Sequence, residues 1–116
     1  MKISERVKIL IVDDDPIFAK VLKTIISNAL DDNTSILLRV HHYLTLAEAI
    51  EESKRSSSIA VVFMDKNLVR PDGKEDDGFD GIKIIKEYHP ETQIIGITGN
   101  NIGADEARAM RNGASF

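Results

Sequence analysis

A chain of 116 residues that is 42% hydrophobic and 29% charged has the size and composition of one globular domain with a single core. It has no cysteine, which excludes disulfides and thiolate metal sites, and its net charge of −4 comes without any basic patch, so this segment is not expected to bind nucleic acid. No apolar signal segment opens it and no run approaches the roughly 18 apolar residues of a membrane span, so a cytoplasmic protein without membrane association is expected.

Taken in order, Val7 to Val12 reads as a first strand and ends in Asp13-Asp14-Asp15-Pro16. Asp15 is a good N-cap and Pro16 suits the first helical position. Ile17, Phe18, Val21, Leu22, Ile25, Ile26 and Ala29 repeat at i, i+1, i+4, i+5 and predict a helix to about Leu30 with one apolar stripe. Asp31 to Ser35 is a turn cluster, and Ile36 to Val40 a second strand. His41-His42 reads as a strand-end or surface pair. Thr45 with Glu48 is a capping box opening a short second helix, whose polar exit is Lys54 to Ser58.

Ile59 to Met64 is an uninterrupted apolar run, too short for a helix, that stops on Asp65. Such a run predicts a strand buried on both faces in the middle of a parallel sheet. Between Asp65 and Gly81 six acids face three bases. Gly81 to Tyr88 predicts a third helix burying Ile82, Ile85 and Tyr88, stopped by His89-Pro90. Gln93 to Ile97 is a fourth strand ending at Thr98-Gly99, and Ala104 to Arg111 a fourth helix with Gly113 as its C′ residue. Strands alternating with helices predict a doubly wound α/β fold: a parallel sheet, right-handed crossovers, and helices on both faces.

If the first and third strands are neighbours, Asp13, Asp14 and Asp65 converge at the carboxyl edge, where ligands of such sheets bind. Carboxylates that close oppose one another's ionisation unless a cation is bound. A hard divalent ion with oxygen ligands, Mg²⁺, is the expected partner. A calcium loop starting at Asp76, with Asp80, Gly81 and Glu87, has Gly78 in its third ligand position and is disfavoured.

These motifs resemble the receiver domain of two-component response regulators, a flavodoxin-like (βα)5 fold of the chemotaxis-regulator type, over essentially the whole chain. The resemblance rests on Asp13-Asp14 after the first strand, Asp65 after the third and Thr98 after the fourth. It implies that Asp65 accepts a phosphoryl group from a phosphohistidine on a histidine kinase or phosphotransfer protein. It further implies that Asp14, Asp65 and the main-chain carbonyl of Asn67 hold Mg²⁺, with Asp13 acting through water. Thr98 would be the switch hydroxyl, and Gly99 would leave room for the phosphoryl group. The implied role is a single-turnover phosphoryl acceptor with self-dephosphorylation, not a metabolic enzyme. An output domain, or a homodimer through the fourth-helix face, is compatible with the family.

Two departures stand out. The family usually carries proline four residues after the phosphoacceptor and Asp-Gly ending eight after it. Here position 69 is Val, and Asp80-Gly81 lies sixteen after Asp65, so about eight residues within 69–79 look inserted as a mobile acidic loop. The family's last strand, with its switch aromatic and lysine, and its last helix are absent from this sequence. The expectation is therefore a receiver domain over 1–116 that belongs to a longer chain.

Two other readings compete. Asp13-x-Asp15 with Thr98 looks like the first motifs of haloacid dehalogenase-type phosphatases, in which Asp13 would be the nucleophile, but Asp65 is then unexplained. A pseudo-receiver acting purely as an interaction module is the other, opposed by the intact acidic triad.

Overall fold

The structure is a computed structural model and describes residues 5–28, 36–97 and 112–114. Among these, the elements are β1 (Glu5–Val12), α1 (Pro16–Asn28), β2 (Ile36–Tyr43), α2 (Leu46–Arg55), β3 (Val61–Asp65), β4 (Asn67–Val69), β5 (Glu75–Asp77), α3 (Gly78–Tyr88) and β6 (Gln93–Ile97). Four strands form a parallel sheet in the order β2-β1-β3-β6, and β4 pairs antiparallel with β5. From β1 the chain moves one way to β2, then back past β1 to β3 and on to β6. Right-handed crossovers place α1 on one face and α2 with α3, which pack on each other, on the opposite face. This is the expected doubly wound, flavodoxin-like sheet, with its direction reversing between β1 and β3.

Alternation along the strands divides the apolar residues between the faces. Leu10, Val12, Val62, Met64 and Ile94 pack with Ala49, Phe79, Ile82 and Ile85 in one core, all of them fully buried. Burying each large side chain contributes about 1.5–3 kcal/mol. This core fixes the carboxyl ends of β1 and β3 relative to the start of α3.

Several expectations need correction. β3 is fully buried on one face only: Val62 and Met64 are buried, while Val61, Phe63 and Asp65 are half-buried. Among the described residues α2 and α3 cover the first face, whereas α1 leans on β1 and β2. On α1, the row nearest the sheet is Ala19, Leu22 and Ile26, and Ile17, Phe18, Val21 and Ile25 are exposed. The predicted stripe was thus rotated by about one residue from the packed row. Tyr88, the last residue of α3, is also exposed.

The acidic segment is not an irregular loop. Residues 67–77 form a hairpin whose tip is Arg70-Pro71-Asp72-Gly73, closed by the Gly73 N–H donating to the Arg70 carbonyl at 2.9 Å. Pro71 presets the turn, Gly73 supplies the positive φ of +83° that follows it, and the Asp72 carboxylate accepts the Lys74 N–H at 3.0 Å. Arg70 pairs with Asp72 (3.2 Å) and across the strands with Asp76 (3.6 Å). α3 then starts at Gly78, three residues before the expected Gly81, capped by the Asp77 carboxylate accepting the Phe79 N–H. The fourth helix expected over 104–111 lies outside the described residues. Gly113 has φ +107°, as a C′ glycine would, and Ala114 is buried in the core.

Candidate functional site

Val12 lies opposite Met64, so the residues that follow these two emerge side by side at the carboxyl edge. One oxygen from each of Asp13, Asp14 and Asp65 lies within 4.8 Å of the others, and no other His, Cys, Asp or Glu group of three converges this way among the described residues. Asp76 of the disfavoured calcium loop is instead paired with Arg70, and Asp80 and Glu87 ride on α3.

Each carboxylate is held by backbone. Asp13 is buried at 4% exposure; its N–H donates to the Tyr43 carbonyl (3.0 Å), and its own carbonyl accepts from His42 Nε2 (2.7 Å). The Asp13 carboxylate accepts the Asp15 N–H at 2.8 Å. Asp15 is occupied as the cap of α1, accepting the N–H groups of Ile17 and Phe18 at 2.9 and 3.3 Å. Asp14 Oδ2 accepts the Val69 N–H at 2.9 Å, a contact spanning 55 positions of sequence. His42 is thus a positioning partner for the Asp13 backbone, a role its pairing with His41 gave no sign of.

Hairpin register explains why β4 faces this site. The Gly78 N–H donates to the Lys66 carbonyl (2.7 Å) and the Arg70 N–H to the Lys74 carbonyl (2.8 Å). Pairs alternate in an antiparallel ladder, so Asn67 and Val69 occupy the positions whose backbone groups point away from β5. Val69 uses its outward N–H on Asp14, and the Asn67 carbonyl lies on the same edge. On the other side of Asp65, Gly78 packs so closely that a Cβ there would sit 1.9 Å from the Asp65 carbonyl oxygen. Lys66, beside Asp65, pairs with Asp77 at 3.5 Å. Thr98 and Gly99 lie outside the described residues.

The family model described as the response regulator receiver domain matches residues 9–115. The chain belongs to this family. Receiver domains are signalling domains of two-component systems, not metabolic enzymes. Similar solved structures include a response regulator from Burkholderia pseudomallei with a phosphorylated aspartic acid, calcium ion and citrate (20% identity, TM-score 0.73, 93% of this chain and 56% of that one). Chemotaxis protein CheY4 of Vibrio cholerae matches at 18% identity and TM-score 0.73, covering 95% and 82% of the two chains. A CheX-CheY-BeF3-Mg complex from Borrelia burgdorferi matches at 20% identity and TM-score 0.75, covering 95% and 75%. No curated protein sequence matches the chain. No helix among the described residues is long and apolar enough to cross a membrane.

The receiver's acidic edge opposes its own charging. Burial, then the Asp13 and Asp14 charges, push the Asp65 carboxyl up to about 6, against the partial offset of the Asn67 and Lys66 N–H groups. Burial first, and then Asp14 and Asp15, raise Asp13 as well. An acid whose folded pKa is raised is neutral in both states well below its unfolded value, so its penalty is absent there. The penalty grows from the unfolded value near 3.8 and is complete above about 6. In metal-free buffer the melting temperature should therefore fall between pH 4.5 and 7 by more than the rest of the chain accounts for. An Asp65→Asn variant, which cannot ionise there, should show a shallower fall in paired calorimetric scans. Equal slopes would contradict this electrostatic picture.

Proposed function

We propose that this receiver accepts a phosphoryl group on Asp65 from a phosphohistidine of a histidine kinase or phosphotransfer protein, in the cytoplasm, with Mg²⁺ as its cofactor. The observation that carries the reading is the convergence of Asp13, Asp14 and Asp65 within 4.8 Å at the carboxyl ends of β1 and β3. Among the similar structures, the Burkholderia protein has a phosphorylated aspartic acid and the Borrelia complex contains Mg²⁺ with beryllium fluoride.

The donor set suits a hard divalent cation: it is all oxygen, anionic, and includes a carboxylate that resists ionising beside its neighbours. Asp14, Asp65 and the Asn67 main-chain carbonyl would hold Mg²⁺, and Asp13 would act through water. When bound, the ion supplies positive charge that offsets the charge of the phosphoryl oxygens. With its carboxyl near 6, Asp65 is mostly ionised at neutral pH. Its oxygen attacks phosphorus as the P–N bond breaks, and the electron pair stays on the departing imidazole nitrogen. The Thr98 hydroxyl then bonds a phosphoryl oxygen, and Gly99 leaves space for the group. On this reading the β4–β5 hairpin is the inserted segment.

Burial favours Asp65 over Asp13 as nucleophile. Asp13 is 4% exposed with one oxygen bonded to the Asp15 N–H, whereas Asp65 is only half-buried. The test is intact mass after incubation with acetyl phosphate and Mg²⁺. A gain of one phosphoryl group, lost when EDTA is present, is expected; an unchanged mass would contradict the proposal.

A further inference from the structure

We infer that the β4–β5 hairpin is a positioning element for the acidic edge: the Val69 N–H fixes the Asp14 carboxylate and thereby sets the affinity of the site for Mg²⁺. The inference rests on the metal reading proposed above and assigns to that site a residue no motif marks. Three observations support it. The Val69 N–H lies 2.9 Å from Asp14 Oδ2. Its direction is dictated by hairpin register, because the bonded pairs on either side leave position 69 with its donor facing away from β5. Finally, a cleft of about 240 Å³ separates Val69, Arg70 and Pro71 from Leu44 and Thr45, with Asp14 in its wall. Across this cleft the hairpin's outer edge reaches the end of β1 through the Asp14 bond and not through packing against the turn before α2.

Asp14 needs such a partner. Asp13 has an oxygen held by the Asp15 N–H and Asp65 receives the N–H groups of Asn67 and Lys66, all from neighbours in sequence. The Asp14 carboxylate instead accepts from the hairpin, through the Val69 N–H. A ligand carboxylate oriented by a hydrogen bond binds its ion with less ordering to do, and loss of an outer partner of this kind typically weakens metal binding about 10–100-fold. The bond here is solvent-exposed, so the lower end applies.

Val69→Pro removes this donor at a position where the ladder does not use it, a setting in which a strand tolerates proline. Calorimetric titration with Mg²⁺ should show affinity about tenfold weaker than wild type, restored in Val69→Ala, which has the amide. The melting temperature without metal should fall by only a few degrees, because one exposed hydrogen bond contributes about 1 kcal/mol. Wild-type affinity in Val69→Pro would overturn the inference. Amide hydrogen exchange in metal-free protein separates it from the metal reading. The Val69 N–H should exchange slowly in wild type and faster in Asp14→Ala, whether or not the proline disturbs the hairpin. Equal exchange rates would overturn the inference, whereas coupled exchange with no Mg²⁺ binding by wild type would sink the metal reading and, with it, the assigned effect on affinity.

Discussion

Asp65→Asn should abolish phosphoryl uptake from acetyl phosphate and, in the same protein, raise the melting temperature in metal-free buffer at pH 7. The amide has the shape of the carboxylate and retains an oxygen for the Lys66 and Asn67 N–H groups, so the fold has no reason to change. What it lacks is the anionic nucleophile, and the neighbouring carboxylates do not replace it because Asp13 is buried and Asp14 is turned to Val69. The stability gain has a separate origin. A carboxyl displaced from 3.8 to about 6 would correspond to about 3 kcal/mol at full value. Because Asp65 is only half-buried, solvent screening reduces this to about 1–2 kcal/mol. In a domain of this size that is a shift of roughly 4 °C or more. Added Mg²⁺ should stabilise wild type and leave the variant nearly unaffected, by mass action on the folded state alone. A variant that melts lower than wild type without metal would contradict the account of the acidic edge.

Gly78→Ala is the second large effect, and its sign opposes helix propensity. Alanine in place of a helical glycine ordinarily gains about 0.5–1 kcal/mol. Here the new methyl would lie 1.9 Å from the Asp65 carbonyl oxygen, with the Met64 sulfur at 3.0 Å. The first obstacle is backbone at the end of an interior strand, paired on both sides, and cannot rotate aside. Either α3 retreats from β3, uncovering Phe79 and Ile82, or the end of β3 moves and takes Asp65 with it. Overpacking of this kind costs about 1–3 kcal/mol, and the rigid obstacle puts the cost near the top of that range. Urea denaturation should show a lower midpoint with an unchanged slope, and Mg²⁺ affinity should fall as well. Gly81→Ala is a useful contrast. Its Cβ would meet the Leu46 side chain at 2.4 Å, a neighbour that can change rotamer, so the loss there should be smaller.

Much of this architecture was legible because single residue types carry the information. The run ending on Asp65, the capping box at Thr45, where the hydroxyl accepts the Glu48 N–H at 3.2 Å, and the cap at Asp15 each follow from local rules. The convergence of Asp13, Asp14 and Asp65 followed from strand order. The start of α3 did not, because Asp77-Gly78 and Asp80-Gly81 are the same dipeptide, and only the packing of Gly78 on the Asp65 carbonyl distinguishes them. The hairpin was signalled by Pro71-Asp72-Gly73, a turn sequence between Val69 and Glu75, but the charges around it favoured a loop reading. Val69 stood out as a residue where the resemblance led one to expect proline. That its N–H reaches Asp14 depends on register, which sequence does not contain.

Long-range charge was the least visible feature. Glu52 is buried at 8% exposure on α2 and is held to about 2 by Lys8 of β1 first and Arg55 second. In the sequence, Lys8 is a polar interruption in an apolar strand and Arg55 part of a polar helix exit. The pairing of Lys8 and Glu52 at 2.5 Å, 44 residues apart, gives the amino half of β1 an ionic anchor on α2, away from the acidic edge.

The most direct test of the central claim is the position of the acyl phosphate. The chain would be incubated with acetyl phosphate and Mg²⁺, reduced with borohydride to convert the acyl phosphate to an alcohol, and sequenced by tandem mass spectrometry. A single modified residue, Asp65, is expected. Modification of Asp13 instead, or of no residue at all, would contradict the claim.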